Sequence, residues 1–290
     1  MLEVTNLGFK YNEEVIFEDV NIDIELGHIY GLIGPNGSGK TTLFNCLSSY
    51  YYPNRGEIKF EDVSIENNSL YLKEVILLGE NFYFGTDTIM KLAKKLAVLY
   101  NKSLNKNLLI EIVNNFNLKS NLILRRLSKG QRKLAIICIA LALKPKYLFL
   151  DEFLDGIDIV NRKIMKDMLL DYVVDNNASI IISSHTTDDI KDICDQLIMI
   201  NNKTIQFQSN FDEVQDMYVT YQIISDEKLD EDFFAKMNID VKGYRNFSNI
   251  YWVSVRENID FENIMNDKNI KDIRKINTSI EEVIYYEFTA

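Results

Sequence analysis

Nine residues, Gly34-Pro35-Asn36-Gly37-Ser38-Gly39-Lys40-Thr41-Thr42, follow the pattern G-x-x-x-x-G-K-[ST] directly after the apolar run Ile29 to Ile33. Glycines at this spacing let backbone N–H groups crowd around phosphate oxygens. Lys40 can reach β- and γ-phosphates as a point charge, and the Thr41 hydroxyl is suited to a Mg²⁺ shell. A helix starting near Gly39 would aim its positive end at the same anion. A second group, Asp151-Glu152, closes the apolar run Tyr147-Leu148-Phe149-Leu150. Strand ends of this kind carry ligands in α/β proteins. Asp151 would join the Mg²⁺ shell, and Glu152 would orient or deprotonate an attacking water. His185 ends a third apolar run, Ile180 to Ile182 followed by Ser183 and Ser184.

These residues need a sheet whose strands end together. The sequence predicts short strands over residues 2–7 and 20–26, then at 29–33, 57–60, 75–78, 147–150 and 178–183. A hairpin is expected around Asn201-Asn202. Helical periodicity covers 41–50, about 89–117, 127–143, 161–174 and 187–194. This order predicts an α/β core with a helical insert at about 85–145. A boundary falls between Asn210 and Tyr218, giving domains 1–212 and 213–290. The second has a βαββαβ rhythm that fits a small ferredoxin-like α+β fold, including an expected helix at Phe261 to Met265. Ser279-Ile280-Glu281-Glu282 reads as the capped start of a closing helix.

Composition narrows the function. The 290 residues are 47% hydrophobic, enough for a large core, and the formal net charge of −11 disfavours nucleic acid as the main partner. The most apolar region, Leu134 to Leu150, is interrupted by Lys144-Pro145-Lys146, so no membrane span is expected. The amino terminus lacks a basic start and an apolar signal core, which predicts a cytoplasmic chain. Cys46, Cys138 and Cys194 lack paired spacing and read as reduced core residues, and His28 and His185 are too separated to read as a metal pair.

The phosphate loop, Leu127-Ser128-Lys129-Gly130-Gln131, Tyr147 to Glu152, Asp158 and Ser184-His185 occur in the order found in ABC transporter nucleotide-binding subunits. The resemblance covers about residues 1–210. It implies a P-loop NTPase core of ABC type with an antiparallel β subdomain and a helical subdomain. It also implies a Mg²⁺-dependent ATPase using ATP, with catalytic Glu152, His185 and Lys40. Tyr11 would stack on adenine. Asn36, Gly37, Ser38, Gly39, Lys40, Thr41 and Thr42 would hold phosphate, while Thr41, Glu80 and Asp151 would serve the metal. Ser128, Lys129, Gly130 and Gln131 would form the signature loop that faces nucleotide on an opposite subunit, and Asp158 would link the two composite sites.

Several positions depart from the family pattern. Lys129 stands for a glycine, Glu80 for the usual glutamine, Gly79 for a frequent proline and Phe153 for the proline after the catalytic glutamate. Phe82, Tyr83 and Phe84 could pack inside or line a groove for a membrane partner. The C-terminal domain and its closing helix resemble exporter-type ATPases that handle antimicrobial peptides, peptide toxins and drugs. The expected function is therefore ATP-driven export of a peptide-like or amphipathic substrate. Expected partners are a second nucleotide-binding subunit, most simply a second copy, and a separate transmembrane permease that holds the chain at the inner membrane face. The competing reading is a soluble ABC-type ATPase acting on ribosomes, nucleic acid or cofactor assembly.

Overall fold

The computed structural model describes residues 1–66, 68–79, 86–154, 156–187, 190–237, 239–256 and 269–289. The chain divides into two compact units, Met1–Gln208 and Ser209–Ala290.

In the first unit, β1 (Leu2–Tyr11) and β2 (Glu14–Ile24) pair antiparallel around a tight turn with Asn12 at positive φ. Their inward positions, among them Leu2, Val4, Phe17, Ile22 and Ile24, are buried while neighbours between them face water. β3 (Ile29–Ile33) leads into α1 (Lys40–Leu47). Next come β4 (Arg55–Phe60), β5 (Val63–Ser64), α2 (Tyr71–Glu74) and β6 (Val75–Leu78). The helical insert contains α3 (Ile89–Leu99), α4 (Lys106–Asn114) and α5 (Lys129–Ala142). β7 (Tyr147–Asp151), α6 (Ile159–Asn176), β8 (Ser179–Ser184), β9 (Gln196–Asn201) and β10 (Thr204–Asn210) complete the run.

Two sheets result. One has the order β2-β1-β4-β5, and the other β10-β9-β3-β8-β7-β6. In the second, β9, β3, β8, β7 and β6 run parallel to one another. Every residue of β3, β7 and β8 is buried, which accounts for their nearly unbroken apolar sequences. The parallel register brings the carboxyl ends of β3, β7 and β8 side by side, with Asp151 paired to Ser183 and Ile33 to Ser184. Phe44 of α1 stacks on Phe149 of β7, with ring centres 5.5 Å apart and planes 8° from parallel. Such a pair is worth about 0.5–1.5 kcal/mol beyond the area it buries. It fastens the helix after the phosphate loop to the strand that carries the acids.

One local expectation fails. Residues 190–193 form turns rather than a helix running through 187–194. Lys191 N–H donates to Thr187 O, and Cys194 N–H to Ile190 O. Ile190, Ile193 and Cys194 are buried at helical spacing, so burial alone explains the apolar pattern that suggested a helix. The chain then reverses at Asn202 and Lys203, both at positive φ, to make the β9–β10 hairpin.

The second unit contains α7 (Phe211–Asp216), β11 (Val219–Ser225), α8 (Glu231–Lys236), β12 (Val241–Phe247), β13 (Ile250–Val255), β14 (Ile270–Asn277) and α9 (Ile280–Thr289). Its sheet has the order β12-β13-β11-β14, with every pairing antiparallel. This arrangement is consistent with a ferredoxin-like subdomain. The helix expected at 261–265 lies outside the described residues. Val219, Tyr221, Ile223, Phe234, Tyr251 and Val253 share one apolar core. The alternate residues Thr220 and Ser254 bond to each other on the other face, where Tyr286 of α9 meets Ser254 at 3.0 Å. Ser279 and Glu282 close a reciprocal cap at the start of α9, as their spacing predicts.

Candidate active site

The phosphate loop connects β3 to α1. Gly39 takes φ +99° at the N-cap, a conformation that L side chains resist, and a side chain there would press on Ile16 and Phe17. Pro35, Asn36 and Gly37 are exposed, whereas Lys40 is 4% exposed. Lys40 Nζ donates to Gly34 O at 2.8 Å and to Pro35 O at 3.2 Å, so its cationic end turns back across the loop mouth. Burial lowers its pKa from the usual 10.5, while the charges of Glu152 and Asp151 oppose that shift. The Ser38 hydroxyl is buried and has no hydrogen-bond partner. An orphaned hydroxyl beside a buried cation and exposed loop amides suits an anionic ligand, because each gains a partner when one binds.

The acids stand across from this loop. Thr41 Oγ1 donates to Asp151 Oδ2 at 2.7 Å, and Ser183 Oγ donates to Asp151 Oδ1 at 2.7 Å. The same Ser183 oxygen accepts the Glu152 N–H at 2.9 Å. Ser183 was not singled out by the sequence; its place follows from the β7–β8 register, which no local motif encodes. Thr41 and Asp151 offer hard oxygen donors in contact with each other, a set that fits Mg²⁺. Among the described residues, no group of three His, Cys, Asp or Glu side chains could hold a metal without other ligands. His185 is exposed immediately beyond β8.

Tyr11 ends β1 with 44% of its surface exposed. Its ring meets Phe9 edge-on at 4.9 Å and Tyr51 edge-on at 5.9 Å. Burial and the Tyr51 hydroxyl raise its pKa, while a hydrogen bond with Thr42 of the loop opposes them. The tyrosine thus belongs to an aromatic group bordering α1, in which Tyr51 is a further member with no motif to announce it.

Ser128 caps α5, accepting Gln131 N–H at 3.2 Å, while Gln131 Oε1 accepts Ser128 N–H at 3.2 Å. Gly130 is the close-approach point: an added Cβ would come 2.4 Å from Gly156 O. The Lys129 chain also lies over Gly156, with Cδ 3.9 Å from the position a Cβ there would take. Asp158 caps α6 by accepting Asn161 N–H at 3.0 Å, and this bond lowers its pKa. Glu80, Phe82, Tyr83, Phe84 and Asp155 lie outside the described residues. His28 is engaged with Asp195, which also accepts Ile29 N–H at 2.6 Å, so it serves the β3 entrance. All three cysteines are free and buried, and burial pushes the Cys46 thiol up to about 12.

Residues 17–155 match the ABC transporter family. A putative ABC transporter ATP-binding protein of Listeria monocytogenes is 32% identical over 219 residues, covering 71% of this chain and 80% of the relative. The chain belongs to the ABC transporter ATP-binding proteins. As an ABC ATPase it is a P-loop enzyme that hydrolyses ATP. The ABC transporter ATP-binding protein YtrB of Bacillus subtilis is 28% identical over 227 residues, 78% of this ABC chain and 77% of the relative. The solved ATP-binding subunit of an ABC transporter superposes with a TM-score of 0.68 at 22% identity, covering 74% of this chain and 92% of that one, and so shows the fold.

The relatives correct the exporter reading. The methionine import ATP-binding protein MetN of Clostridium tetani is 25% identical over 232 residues, 76% of this chain and 71% of the relative. Spermidine/putrescine and molybdate import ATP-binding proteins also match. The C-terminal βαββαβ rhythm had suggested export, but an appended unit does not report transport direction, and the named transport systems among these relatives are importers. ABC subunits of this kind typically work with a partner nucleotide-binding subunit and transmembrane permeases. Among the described residues, no helix is long and apolar enough to cross a membrane.

Proposed function

We propose that the chain is the energy-coupling subunit of an import-type ABC system, hydrolysing Mg²⁺-bound ATP to drive a separate permease. The observation that carries the chemical reading is the continuous bonded path from Thr41 through Asp151 and Ser183 to Glu152. It joins the phosphate loop to the proposed base without an intervening gap. The import reading rests on the relatives named for methionine, polyamine and molybdate uptake.

In this reading the loop amides, Ser38 and Lys40 bind the phosphates, and Thr41 and Asp151 would hold Mg²⁺. The ion would neutralise charge on the phosphate oxygens. Glu152 accepts a proton as water oxygen bonds to the γ-phosphorus and the bond to the ADP oxygen breaks. His185, exposed just beyond β8, would steady the transferred phosphoryl group. Tyr11 offers a π-face to the base, so ATP and GTP should bind within about tenfold of each other. A much larger preference for ATP would contradict simple stacking. Ser128, Lys129, Gly130 and Gln131 would face nucleotide held by a second subunit, with Asp158 beside them, and a homodimer supplies every motif. Glu80 is carried as a metal or water contact by resemblance alone.

The test is Glu152→Gln. Phosphate release should fall by about a hundredfold or more while ATP affinity is kept, because the phosphate and metal groups remain. ATP should then hold the protein as a dimer on size-exclusion chromatography. Hydrolysis at the parent rate would overturn the role of Glu152. Uptake by vesicles containing the chain and its permease would distinguish import from efflux.

A further inference from the structure

Glu152 has φ +48°, in the left-handed region that a non-glycine residue rarely takes. Holding such a residue there costs on the order of 1 kcal/mol or more unless its surroundings impose it. Two side chains do so. Ser183 Oγ accepts the Glu152 N–H at 2.9 Å, and Lys133 Nζ donates to Glu152 O at 3.1 Å. The peptide groups on both sides of the Glu152 Cα are therefore each tied to a different element, β8 on one side and α5 on the other.

Lys133 is unusual in its own right. It is 5% exposed in a stretch of α5, Lys133 to Ala142, in which every residue is buried and all but the lysine are apolar. A lysine is rarely buried without a specific partner, because its polar end loses water. Its Nζ lies 5.3 Å from the ring centre of Phe153, within cation–π range. Phe153 is itself 1% exposed and occupies the position where the family pattern has proline. A proline there would bias the preceding residue towards extended φ near −120°. Phenylalanine removes that restriction and gives the lysine a surface to lie on.

We propose that Lys133 is a positioning residue for hydrolysis, which holds the left-handed backbone of Glu152 and thereby aims its carboxylate. It acts through Glu152 and touches no reacting atom, so the proposal rests on the reading of Glu152 as the base. The pair Lys133–Phe153 thus holds at Glu152 a left-handed backbone that a proline at 153 would oppose by its ring. Since α5 begins at Ser128, the same helix that presents the signature residues also sets the base of its own chain.

The experiment compares full-length parent, Lys133→Met, Lys133→Arg, Glu152→Gln and the Lys133→Met/Glu152→Gln double variant. Thermal melting and binding of a labelled ATP analogue accompany steady-state hydrolysis. Lys133→Met should lower kcat by about ten- to a hundredfold with KM and analogue affinity within about twofold, since displacing a catalytic group by about 1 Å can cost that much. Lys133→Arg, which keeps a donor, should recover most of the rate. In the Glu152→Gln background the methionine should bring no further loss, because there is no base left to aim. If Lys133→Met unfolds, Lys133→Leu, which fills the same space without a donor, takes its place with the same expectations. Parent kcat in folded Lys133→Met, an equal rise in KM, or a full additional loss in the double variant would each overturn the inference. Parent activity in Glu152→Gln would instead overturn the reading of the base.

Discussion

Thr41 Oγ1 donates a 2.7 Å hydrogen bond to Asp151 Oδ2, so the first turn of α1 and the last residue of β7 already touch. The contact depends on neither residue alone. It needs the Gly39 turn to start α1 at that point, the parallel register to end β7 beside β8, and the Phe44–Phe149 stack to hold helix and strand together. Asp151 is 8% exposed, and both its oxygens are occupied by hydroxyl donors. A carboxylate held in this way presents hard oxygen ligands to a cation at the loop mouth.

Asp151→Asn should therefore separate folding from metal use. Thr41 and Ser183 can rotate their hydroxyls to serve an amide, so the far-UV spectrum should match the parent. The Mg²⁺ concentration giving half-maximal hydrolysis should rise by about tenfold or more, because a charged ligand has become neutral. The measurement is phosphate release titrated with Mg²⁺ at fixed ATP. An unchanged midpoint and rate would remove Asp151 from the metal site.

Lys40 makes a prediction about protons. Its pKa is lowered chiefly by burial. Between that lowered value and the usual 10.5, the unfolded chain binds more protons here than the folded one, so the stability of the nucleotide-free protein gains with rising pH in that window. A bound triphosphate brings negative charge to Nζ and raises the pKa again. ATP binding at alkaline pH should then take up protons, seen as a binding enthalpy that varies with the ionisation enthalpy of the buffer. Lys40→Ala should abolish that uptake and weaken binding by about tenfold or more, in line with losing a charged hydrogen bond. Equal affinity, or uptake persisting in the alanine variant, would contradict this role.

Much of this arrangement is legible in the sequence, for reasons that differ by residue. The loop is readable because Gly34, Gly39, Lys40 and Thr41 must be local to do their work. The buried strands are readable because parallel strands covered on both faces are apolar throughout. The strands of the second unit are legible from alternation, since Val219, Tyr221 and Ile223 face the core while Thr220 faces away. Ser183 and Lys133 were not assigned roles because their contacts with residues 151 and 152 depend on register and helix packing across 19 to 32 positions. Buried Ile190 and Ile193 mimic a helix because a packed turn can bury the same spacing. Transport direction was misread because the motifs from Gly34 to His185 describe hydrolysis, which is common to both directions.

Gly130 is where the signature segment meets the loop before α6. A Cβ on residue 130 would lie 2.4 Å from Gly156 O, and backbone cannot yield as a flexible side-chain tip can. Gly130→Ala should push the start of α5 from residues 156–157 and lower stability by about 1–3 kcal/mol, the usual range for overpacking. Gly79→Ala is the control, because among the described residues no atom comes within 4 Å of a Cβ at that position. Denaturant unfolding of both variants checks the difference. Equal midpoints would mean that the contact relaxes without cost and that Gly130 is needed only for an approaching ligand.

The division into Met1–Gln208 and Ser209–Ala290 makes a final prediction. We propose that the second unit serves regulation or assembly, since the phosphate loop, the paired acids and both histidines all lie before residue 209. A chain ending at Gln208 should fold and bind the labelled ATP analogue within about threefold of the full chain, because the strands that aim Lys40 and Asp151 are all retained. Dimerisation or coupling to the permease should change instead, measured by size-exclusion chromatography with ATP and by co-purification. Removing α9 and its sheet also removes their own apolar core, which is built from Val219, Ile223, Phe234 and Val253, so the cut need not leave that core exposed. A truncated chain that folds yet fails to bind nucleotide would show that the second unit completes the site, and the two-domain reading would fall. Unchanged binding together with unchanged assembly and transport would leave the second unit without the role proposed for it.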